Sequence, residues 1–167
     1  MNKKSLLVII FSFSISVFSF DETNEGSDFE AMLLVHKTPT CGCCKKWIKH
    51  MEDNGFVADT QNHQNLEDIK KMYEIKPEYR SCHTGVSSNG YIFEGHVPSK
   101  YVTQFLSEDH PNAIGLSVPG MPLGSPGMEV DDLFMPYEVL ILFKDGTSEI
   151  YARVCLLYTS PSPRDRG

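Results

Sequence analysis

Three cysteines within four residues are the feature of this chain with the clearest chemical meaning. Cys41, Cys43 and Cys44 follow an apolar run and stand where a helix is predicted to begin. The start of a helix carries unpaired backbone N–H groups and the positive end of the helix dipole, and both favour a thiolate over a thiol. Because thiolates bind soft metals and attack disulfides, this segment predicts metal or redox chemistry.

A fourth cysteine, Cys82, lies in segment 81–84, just before a predicted strand. If both cysteine segments lie at the ends of neighbouring strands, the four thiols converge. Thiolates select Cu(I), zinc or iron–sulfur clusters, and cysteines close enough to bridge ions favour a polynuclear Cu(I) site. Zinc sites usually have two well-separated ligand pairs. The predicted metal ligands are therefore Cys41, Cys43, Cys44 and Cys82.

Two histidines and two methionines are weaker candidates for the same site. His83 follows Cys82 and could bind metal, orient a thiolate or accept a proton, although a turn hydrogen bond would also explain it. His96 could instead cap a helix. Met121 and Met128 lie in a loop rich in glycine and proline, where a thioether would suit Cu(I) or simply fill the core edge. The histidines predicted to be structural or exposed are His36, His50, His63 and His110.

The elements that must position these residues alternate between strands and helices. Apolar runs indicate strands, and Trp47, Ile48 and Met51 recur at helical spacing after the cysteines. The predicted elements are a strand at 31–37, a helix at 44–54 stopped by Gly55, a strand at 56–58, a helix capped by Asn65 and ended by Pro77, a strand at 91–93, a helix from Pro98 to Leu106, and a hairpin of 138–143 with 148–151.

This order predicts an α/β protein with a thioredoxin-like fold: a central mixed sheet, flanking helices and a C-terminal β-hairpin. Cys41 and Cys44 fit the C-x-x-C spacing of that fold, and Cys43 between them departs from it. Segment 115–129, rich in glycine and proline, is predicted to be a long loop.

The two ends of the chain are predicted to lie outside the folded domain. Residues 1–19 have the pattern of an export signal peptide, with Lys3 and Lys4 before an apolar run. We expect cleavage of this peptide, a disordered leader at 20–28, a folded domain at 29–153, and a periplasmic protein without a membrane span. Residues 154–167 resemble translated sequencing-adapter readthrough, and we expect this tail to be non-native and without a function.

The composition and charge of the chain argue against nucleic acid as a ligand. The 167 residues carry a formal charge of −7, with 41% hydrophobic and 22% charged residues, which is typical of a globular protein. Affinity for nucleic acid comes from neutralising phosphates, so an acidic chain of this kind is not expected to bind it.

Several segments together resemble one known family. They are 41–47 (Cys-Gly-Cys-Cys with Trp47), 81–84 (Ser-Cys-His-Thr), 90–98, 115–122 and 124–129. In this order, within residues 32–151, they resemble the bacterial family of metal-binding proteins that includes the periplasmic copper-resistance protein CopG.

The resemblance implies a thioredoxin-like periplasmic protein that binds copper through its cysteines, in a cysteine-bridged cluster, and that carries out redox chemistry on copper during metal stress. By motif, the family cysteines correspond to Cys41, Cys43, Cys44 and Cys82. The implied partners are copper ions and other periplasmic copper-resistance proteins.

Three functions remain open at this stage, and no catalytic residue is assigned. The protein could bind copper and interconvert Cu(I) and Cu(II) as an oxidoreductase. It could be a thiol–disulfide oxidoreductase in which Cys41 attacks and Cys44 resolves, which leaves Cys43 and Cys82 unexplained. It could also be a passive copper store or chaperone. A structural disulfide, common in exported proteins, would explain the cysteines without any of these functions.

Overall fold

Residues 31–155, the part of the chain described by the computed structural model, form one mixed α/β unit. The strands are β1 (Ala31–Lys37), β2 (Phe56–Asn62), β3 (Thr84–Ser87), β4 (Ile92–Gly95), β5 (Ala113–Val118), β6 (Tyr137–Phe143) and β7 (Ser148–Val154). The helices are α1 (Gly42–Asp53), α2 (Glu67–Met72), α3 (Ser99–Ser107) and a short 3-10 helix at Pro77–Tyr79.

The seven strands form a single sheet in the order β2-β1-β3-β4-β5-β6-β7. Strands β1 and β2 are parallel, as are β4 and β5, and the other neighbouring pairs are antiparallel. The predicted mixed sheet, flanking helices and C-terminal hairpin, β6 with β7, are confirmed.

Helix α1 begins two residues earlier than predicted. Cys41 is its N-cap, and the Cys41 sulfur accepts a hydrogen bond from the Cys44 backbone N–H at 3.3 Å. Cys43 and Cys44 therefore lie in the first turn of the helix, where backbone N–H groups have no helical acceptor. Gly55, at φ +87°, follows the helix as predicted, because glycine tolerates this left-handed conformation.

The predicted bounds of the second helix were wrong at both ends. The N-cap of α2 is Leu66, although the predicted cap, Asn65, still accepts a hydrogen bond from the Glu67 backbone N–H at 2.9 Å. The helix ends at Met72, well before Pro77, which instead opens the 3-10 helix. The third helix begins at Ser99, with Pro98 as its extended N-cap.

Two strands were not predicted, and both contain glycine and serine instead of an apolar run. Strand β3 has only four residues and pairs with β1 and β4. Strand β5 includes Gly115 to Val118, which the sequence assigned to the long loop. In these short segments pairing with neighbouring strands outweighs weak local preference. The glycine- and proline-rich loop therefore spans 119–136.

Most of the core lies on the side of the sheet that α1 and α3 cover. Trp47, Phe93 and Phe105 are completely buried there, and the Trp47 indole N–H donates to the Val97 carbonyl at 2.8 Å. A smaller cluster contains Ile75 together with residues of β4 and β6. Trp47 is thus a core residue, as predicted.

The predicted signal peptide (1–19) and leader (20–28) lie outside the described residues, as do residues 156–167. Val154, placed by the sequence in the C-terminal tail, is the last residue of β7 and pairs with Tyr137. Cys155 is exposed. Among the described residues, no helix has the length and apolar character needed to cross a membrane.

Candidate metal centre

The two cysteine segments meet because of how β1 and β3 pair. The strands are antiparallel, and His36 near the end of β1 lies opposite Thr84 at the start of β3. The segment that follows β1 and the segment that precedes β3 therefore lie at the same edge of the sheet. This places Cys82 beside the first turn of α1, as the sequence analysis expected.

Four sulfur atoms converge at this edge. Those of Cys41, Cys43, Cys44 and Cys82 all lie within 4.8 Å of one another. The Cys43 sulfur is 3.5 Å from that of Cys41 and 3.8 Å from that of Cys82. Cys44 is fully buried and the other three are partly accessible. The arrangement is a compact group of soft donors that solvent can reach.

Two of the four cysteines are oxidised in this structure. Cys41 and Cys44 form a disulfide, with their Cα atoms 5.3 Å apart, whereas Cys43 and Cys82 are free. The Cys82 sulfur lies 3.6 Å from that of Cys44. A free thiol is thus in contact with a disulfide, which is the arrangement that thiol–disulfide exchange requires.

The Cys82 thiol holds its proton more tightly than an ordinary cysteine. Burial, followed by the charge of Cys43 and a hydrogen bond with it, raises the pKa of Cys82 to about 12. A metal ion that binds this sulfur as thiolate must therefore displace a proton at neutral pH.

His96 points an unprotonated nitrogen at Cys82. Its Nδ1 lies 2.7 Å from the carbonyl oxygen of Pro126, and a carbonyl can only accept, so Nδ1 carries the proton. Nε2, 3.1 Å from the Cys82 sulfur, is then left with its lone pair. Burial lowers the pKa of His96, which keeps the ring neutral. The nitrogen can accept a hydrogen bond from the Cys82 thiol or bind a metal.

His83 is the most deeply buried titratable group of the site. Its Nδ1 lies 3.3 Å from the Cys82 sulfur, and its ring packs at 4.4 Å from Trp47 and edge-on to His96 at 5.0 Å. Desolvation, aided by the nearby His96 and Lys70, lowers the pKa of His83 well below its ordinary value. Nε2 has no hydrogen-bond partner.

Cys82 belongs to two donor groups. One is the set of four sulfurs, and the other combines Cys82 with His83 and His96, whose ligand atoms also lie within 4.8 Å of one another. Each histidine nitrogen points at the same sulfur. Cys82 is therefore the residue through which imidazole nitrogens reach the thiol cluster.

The loop 119–136 packs against this group. Gly127 lies so close to α1 that an added Cβ would be 2.7 Å from the Cys43 carbonyl oxygen and 2.9 Å from the backbone nitrogen of Trp47. Its N–H donates to the Glu129 carboxylate at 2.9 Å. The glycine, at φ +88°, is thus required both for the backbone conformation and for the close approach.

Met121 and Met128 lie in this loop but differ in exposure. The Met121 side chain is 51% exposed, and Met128 is partly buried, with its backbone N–H donating to the Ser125 carbonyl at 2.8 Å. A role for either thioether as a copper ligand stays a prediction.

Comparison with known proteins agrees with this geometry. Two solved structures, described as "Copper resistance protein copG- Form 2" and "Form 1", are 37% identical to the chain. Each match covers 75% of this chain and 98% of the other, with TM-scores of 0.71 and 0.70. The chain belongs to the CopG family.

Other comparisons describe the same region in less detail. Residues 79–128 match the family described as "Protein of unknown function, DUF411". No curated protein sequence matches the chain. The DUF411 segment begins just before Cys82 and ends just after Gly127, so it contains the histidines of the site and most of the covering loop but not the first cysteine segment.

Sequence reasoning missed a buried ion pair next to this CopG-family site. Glu94 and Lys70 are 0% and 5% exposed and form a salt bridge. Both left a trace in the sequence: Glu94 is the charge in an otherwise apolar strand, and Lys70 occupies a position of the apolar stripe of α2. A charge at a buried position usually has a specific partner.

The remaining histidines lie away from the four sulfurs. His50 accepts a hydrogen bond from the Ser99 N–H at 3.1 Å, so it caps α3. His110 pairs with Glu108 at 3.0 Å. His36 is buried and its Nδ1 lies 2.9 Å from Nε2 of His63. The prediction that these residues are structural agrees with these contacts.

Proposed function

We propose that this protein is a periplasmic copper-binding protein of copper resistance, in which the thiolates of Cys41, Cys43, Cys44 and Cys82 hold Cu(I) in a multinuclear site. The observation that carries the proposal is the convergence of four sulfur atoms within 4.8 Å at one edge of the sheet. The CopG-family membership supports copper as the ion, since the similar structures are copper resistance proteins.

The sulfur spacing suits metal ions. Two sulfurs on one tetrahedral ion, with metal–sulfur bonds of about 2.3 Å as in zinc thiolates, lie about 3.8 Å apart. The Cys43–Cys82 and Cys44–Cys82 separations of 3.8 and 3.6 Å are close to that value. Four thiolates so close together can each bridge two ions, and this favours a multinuclear Cu(I) site over a single ion.

The imidazoles extend the proposal to redox chemistry. Thiolate sulfur stabilises Cu(I), while imidazole nitrogen accommodates both Cu(I) and Cu(II). Because His83 and His96 point at the sulfur of Cys82, a copper ion at this position would have donors suited to both oxidation states. This favours interconversion of Cu(I) and Cu(II) over passive storage.

The export and fold predictions belong to the same proposal. The apolar segment within residues 1–19 is proposed to be a cleaved signal peptide that directs the protein to the periplasm. The parallel β1–α1–β2 unit, with cysteines at the start of α1, supports a thioredoxin-like arrangement of the sheet.

Loading of the four-thiolate site requires reduction of the Cys41–Cys44 disulfide. Two electrons and two protons convert this disulfide into two thiols, and metal binding then releases the thiol protons. The oxidised protein retains two free thiols near the site, those of Cys43 and Cys82. Oxidation should therefore lower its copper capacity.

The test is a measurement of copper content and free thiols on the anaerobically reduced protein after loading with Cu(I) and removal of unbound metal. We expect several copper ions per chain and no titratable thiols at residues 41, 43, 44 and 82. The air-oxidised protein, treated in the same way, is the matched comparison and should bind less. Little copper in the reduced protein would contradict the proposal.

A thiol–disulfide oxidoreductase is the second candidate, and the Cys41–Cys44 disulfide is the observation that favours it. In this function Cys41 attacks a substrate disulfide and Cys44 resolves the mixed disulfide, while Cys82 is dispensable. A disulfide-reduction assay separates the two functions. Cys41→Ser should abolish such activity and Cys82→Ser should preserve it, whereas copper binding should depend on both residues.

A passive copper store or chaperone differs from a copper oxidoreductase in one measurement. The copper-loaded protein is oxidised and then reduced again while bound and released copper are measured. Retention of copper through the cycle supports redox interconversion on the protein. Release of copper on oxidation supports storage or transfer.

A further inference from the structure

Glu94 is a buried charge with three hydrogen-bond donors around its carboxylate. It lies in β4 and is completely buried. Lys70 Nζ and the Ser81 backbone N–H donate to Oε1, the latter at 2.5 Å, and the Thr84 hydroxyl donates to Oε2 at 2.6 Å. Burial of a carboxylate is costly unless it is paired and hydrogen-bonded, and Glu94 meets both conditions.

The two oxygens of Glu94 bind the chain on both sides of Cys82 and His83. Ser81 immediately precedes this pair of residues and Thr84 immediately follows it. A single carboxylate therefore spans the segment that carries the shared sulfur and its neighbouring imidazole. Movement of the segment in either direction would stretch one of the two hydrogen bonds.

The residues that follow Glu94 hold the same segment. The Gly95 N–H donates to the His83 carbonyl at 2.9 Å, and a Cβ at Gly95 would lie 2.5 Å from the Ser81 Cβ. His96 then places Nε2 at 3.1 Å from the Cys82 sulfur. Three consecutive residues thus fix the segment through a side chain, a backbone group and a potential ligand.

Lys70 is the counterion that allows Glu94 to be charged at this position. It comes from α2 and is itself 5% exposed. Its ammonium group donates to Glu94 and also to the Thr84 hydroxyl oxygen at 3.4 Å, while that hydroxyl donates to Glu94. Lys70, Thr84 and Glu94 therefore form a triad in which each group has a consistent role as donor or acceptor.

We propose that Glu94, neutralised by Lys70, is a positioning residue that fixes Cys82 and His83 in the geometry needed for copper. The inference rests on the proposed function, since it assigns no metal contact to Glu94 itself. It identifies Glu94, Lys70 and Thr84 as determinants of copper affinity although none of them belongs to the donor groups of the site.

The test compares Cu(I) affinity and the thiolate-to-copper absorption spectrum of the reduced full chain with those of Glu94→Gln. Affinity is measured by competition with a chromogenic Cu(I) chelator. We expect about a 10- to 100-fold loss of affinity, the effect typical of removing groups that orient metal ligands, together with an altered spectrum. The control is Glu138→Gln, because the Glu138 carboxylate pairs with Arg153 on the surface.

The double variants Glu94→Gln/Lys70→Met and Glu94→Leu/Lys70→Met separate positioning from general destabilisation, because both lack the unpaired charge and only the first can still bond Ser81 and Thr84. Glu94→Gln alone leaves Lys70 as a buried, unpaired cation, and that is strongly destabilising. The added Lys70→Met removes this charge, while the amide oxygen and nitrogen of the introduced glutamine can still bond Ser81 and Thr84. We expect Glu94→Gln/Lys70→Met to recover most of the affinity lost by Glu94→Gln and Glu94→Leu/Lys70→Met to stay weak. Recovery in both double variants would mean that destabilisation, and not loss of positioning, caused the lower affinity.

Thr84→Val and Thr84→Ser provide a second test that does not depend on the folding of Glu94→Gln. Valine removes the hydroxyl that binds Oε2 and serine retains it. We expect Thr84→Val to weaken copper binding and Thr84→Ser to preserve it, with both proteins folded by circular dichroism.

The outcomes distinguish this inference from the proposed function. If the wild type binds copper, Cys82→Ser binds less, and neither Glu94→Gln nor Thr84→Val differs from the Glu138→Gln control, the positioning role is wrong and the copper site stands. If the reduced wild type binds no copper, the proposed function itself fails. Lower affinity and an altered spectrum in Glu94→Gln, with recovery in Glu94→Gln/Lys70→Met but not in Glu94→Leu/Lys70→Met, support the inference.

Discussion

Two pairs of histidines lie in contact in this protein, with His63 half-buried and the other three buried, and they differ in what their nitrogens face. His83 and His96 lie beside Trp47 of the larger core, and each directs a nitrogen at the sulfur of Cys82. His36 lies beside Tyr73, which packs against the smaller core, and its Nδ1 faces Nε2 of His63 at 2.9 Å.

The difference shows that burial alone does not place a histidine nitrogen beside a thiol. In both pairs desolvation lowers the pKa of a buried ring, His83 in one and His36 in the other. In the first pair the Pro126 carbonyl fixes the tautomer of His96 and leaves a lone pair next to a thiol. In the second pair His36 Nδ1 and His63 Nε2 bond each other, and the buried Nε2 of His36 has neither a partner nor a thiol beside it among the described residues.

Loss of Cys82 should have the largest effect on this contrast, because both donor groups contain it. Cys82→Ser should sharply reduce the number of copper ions per chain in the reduced protein. Copper and protein are quantified on the same sample after gel filtration. The exposed Cys155, changed to serine, is the control and should leave the copper content unchanged. Full loading of Cys82→Ser would exclude a site that needs all four thiolates.

Exchange of one histidine from each pair tests the contrast directly. His96→Gln removes the nitrogen that faces Cys82, and we expect Cu(I) affinity to fall by about 10- to 100-fold. His63→Gln removes a nitrogen that faces only His36 and should leave the affinity unchanged. Both values come from chelator competition under identical conditions. Equal losses in the two variants would break the distinction between the pairs.

The loop that fixes His96 can be displaced without changing any histidine. Alanine at Gly127 would combine a positive φ with contacts of 2.7 Å to the Cys43 carbonyl. We expect a loss of about 1–3 kcal/mol in unfolding free energy, because backbone strain at φ > 0 adds to the clash. Copper affinity should also fall, since the Pro126 carbonyl moves with the loop.

Gly120→Ala is the matched control for this strain. Gly120 lies in the same loop at φ +69°, but an added Cβ would have no atom within 4 Å. It should cost stability through strain alone and leave copper affinity close to that of the wild type. Equal losses of affinity in the two variants would show that the contact with α1 does not matter.

The neutral state of His83 should make the stability of the metal-free protein depend on pH. Its folded pKa is far below the ordinary 6.5, so the unfolded state takes up the proton first as pH falls. Stability is therefore retained above pH 6.5 and lost below it, by up to about 1.4 kcal/mol per pH unit from this residue. Denaturant unfolding at pH 7.5, 6.5 and 5.5 gives the slope of the unfolding free energy against pH.

His83→Leu isolates the contribution of His83 to this slope. The variant has no imidazole to protonate, so the loss between pH 6.5 and 5.5 should be smaller than in the wild type. His110→Asn removes a surface histidine paired with Glu108 and should not reduce the slope in the same way. An unchanged slope in His83→Leu would contradict the assignment of this pH dependence to His83.

Local signals account for the parts of the site that the sequence predicted. The cysteines of α1 follow an apolar strand and stand at the start of a helix whose buried face includes residues 47, 48 and 51. In the hairpin, the apolar run of β6 and the strand segment of β7 flank the turn signal at 144–147. Each of these elements is specified by residues adjacent in sequence, so pattern and spacing are sufficient.

Tertiary pairing decided the parts that the sequence missed. Strands β3 and β5 are short and carry glycine, and their structure depends on neighbours distant in the chain. Nothing local to Glu94 identifies Lys70, Ser81 or Thr84 as its partners, because these contacts span 10 to 24 residues.

The sequence by itself determined the chemistry available, which is four thiols in two short segments with a histidine directly after Cys82. Residue types and their spacing are properties of the sequence alone. Only the tertiary structure determined which atoms meet. The tautomer of His96 and the shared position of Cys82 both depend on distances between segments. Hydrogen bonds and metal ligation require contact within a few ångströms, and sequence spacing does not specify such contact between distant segments.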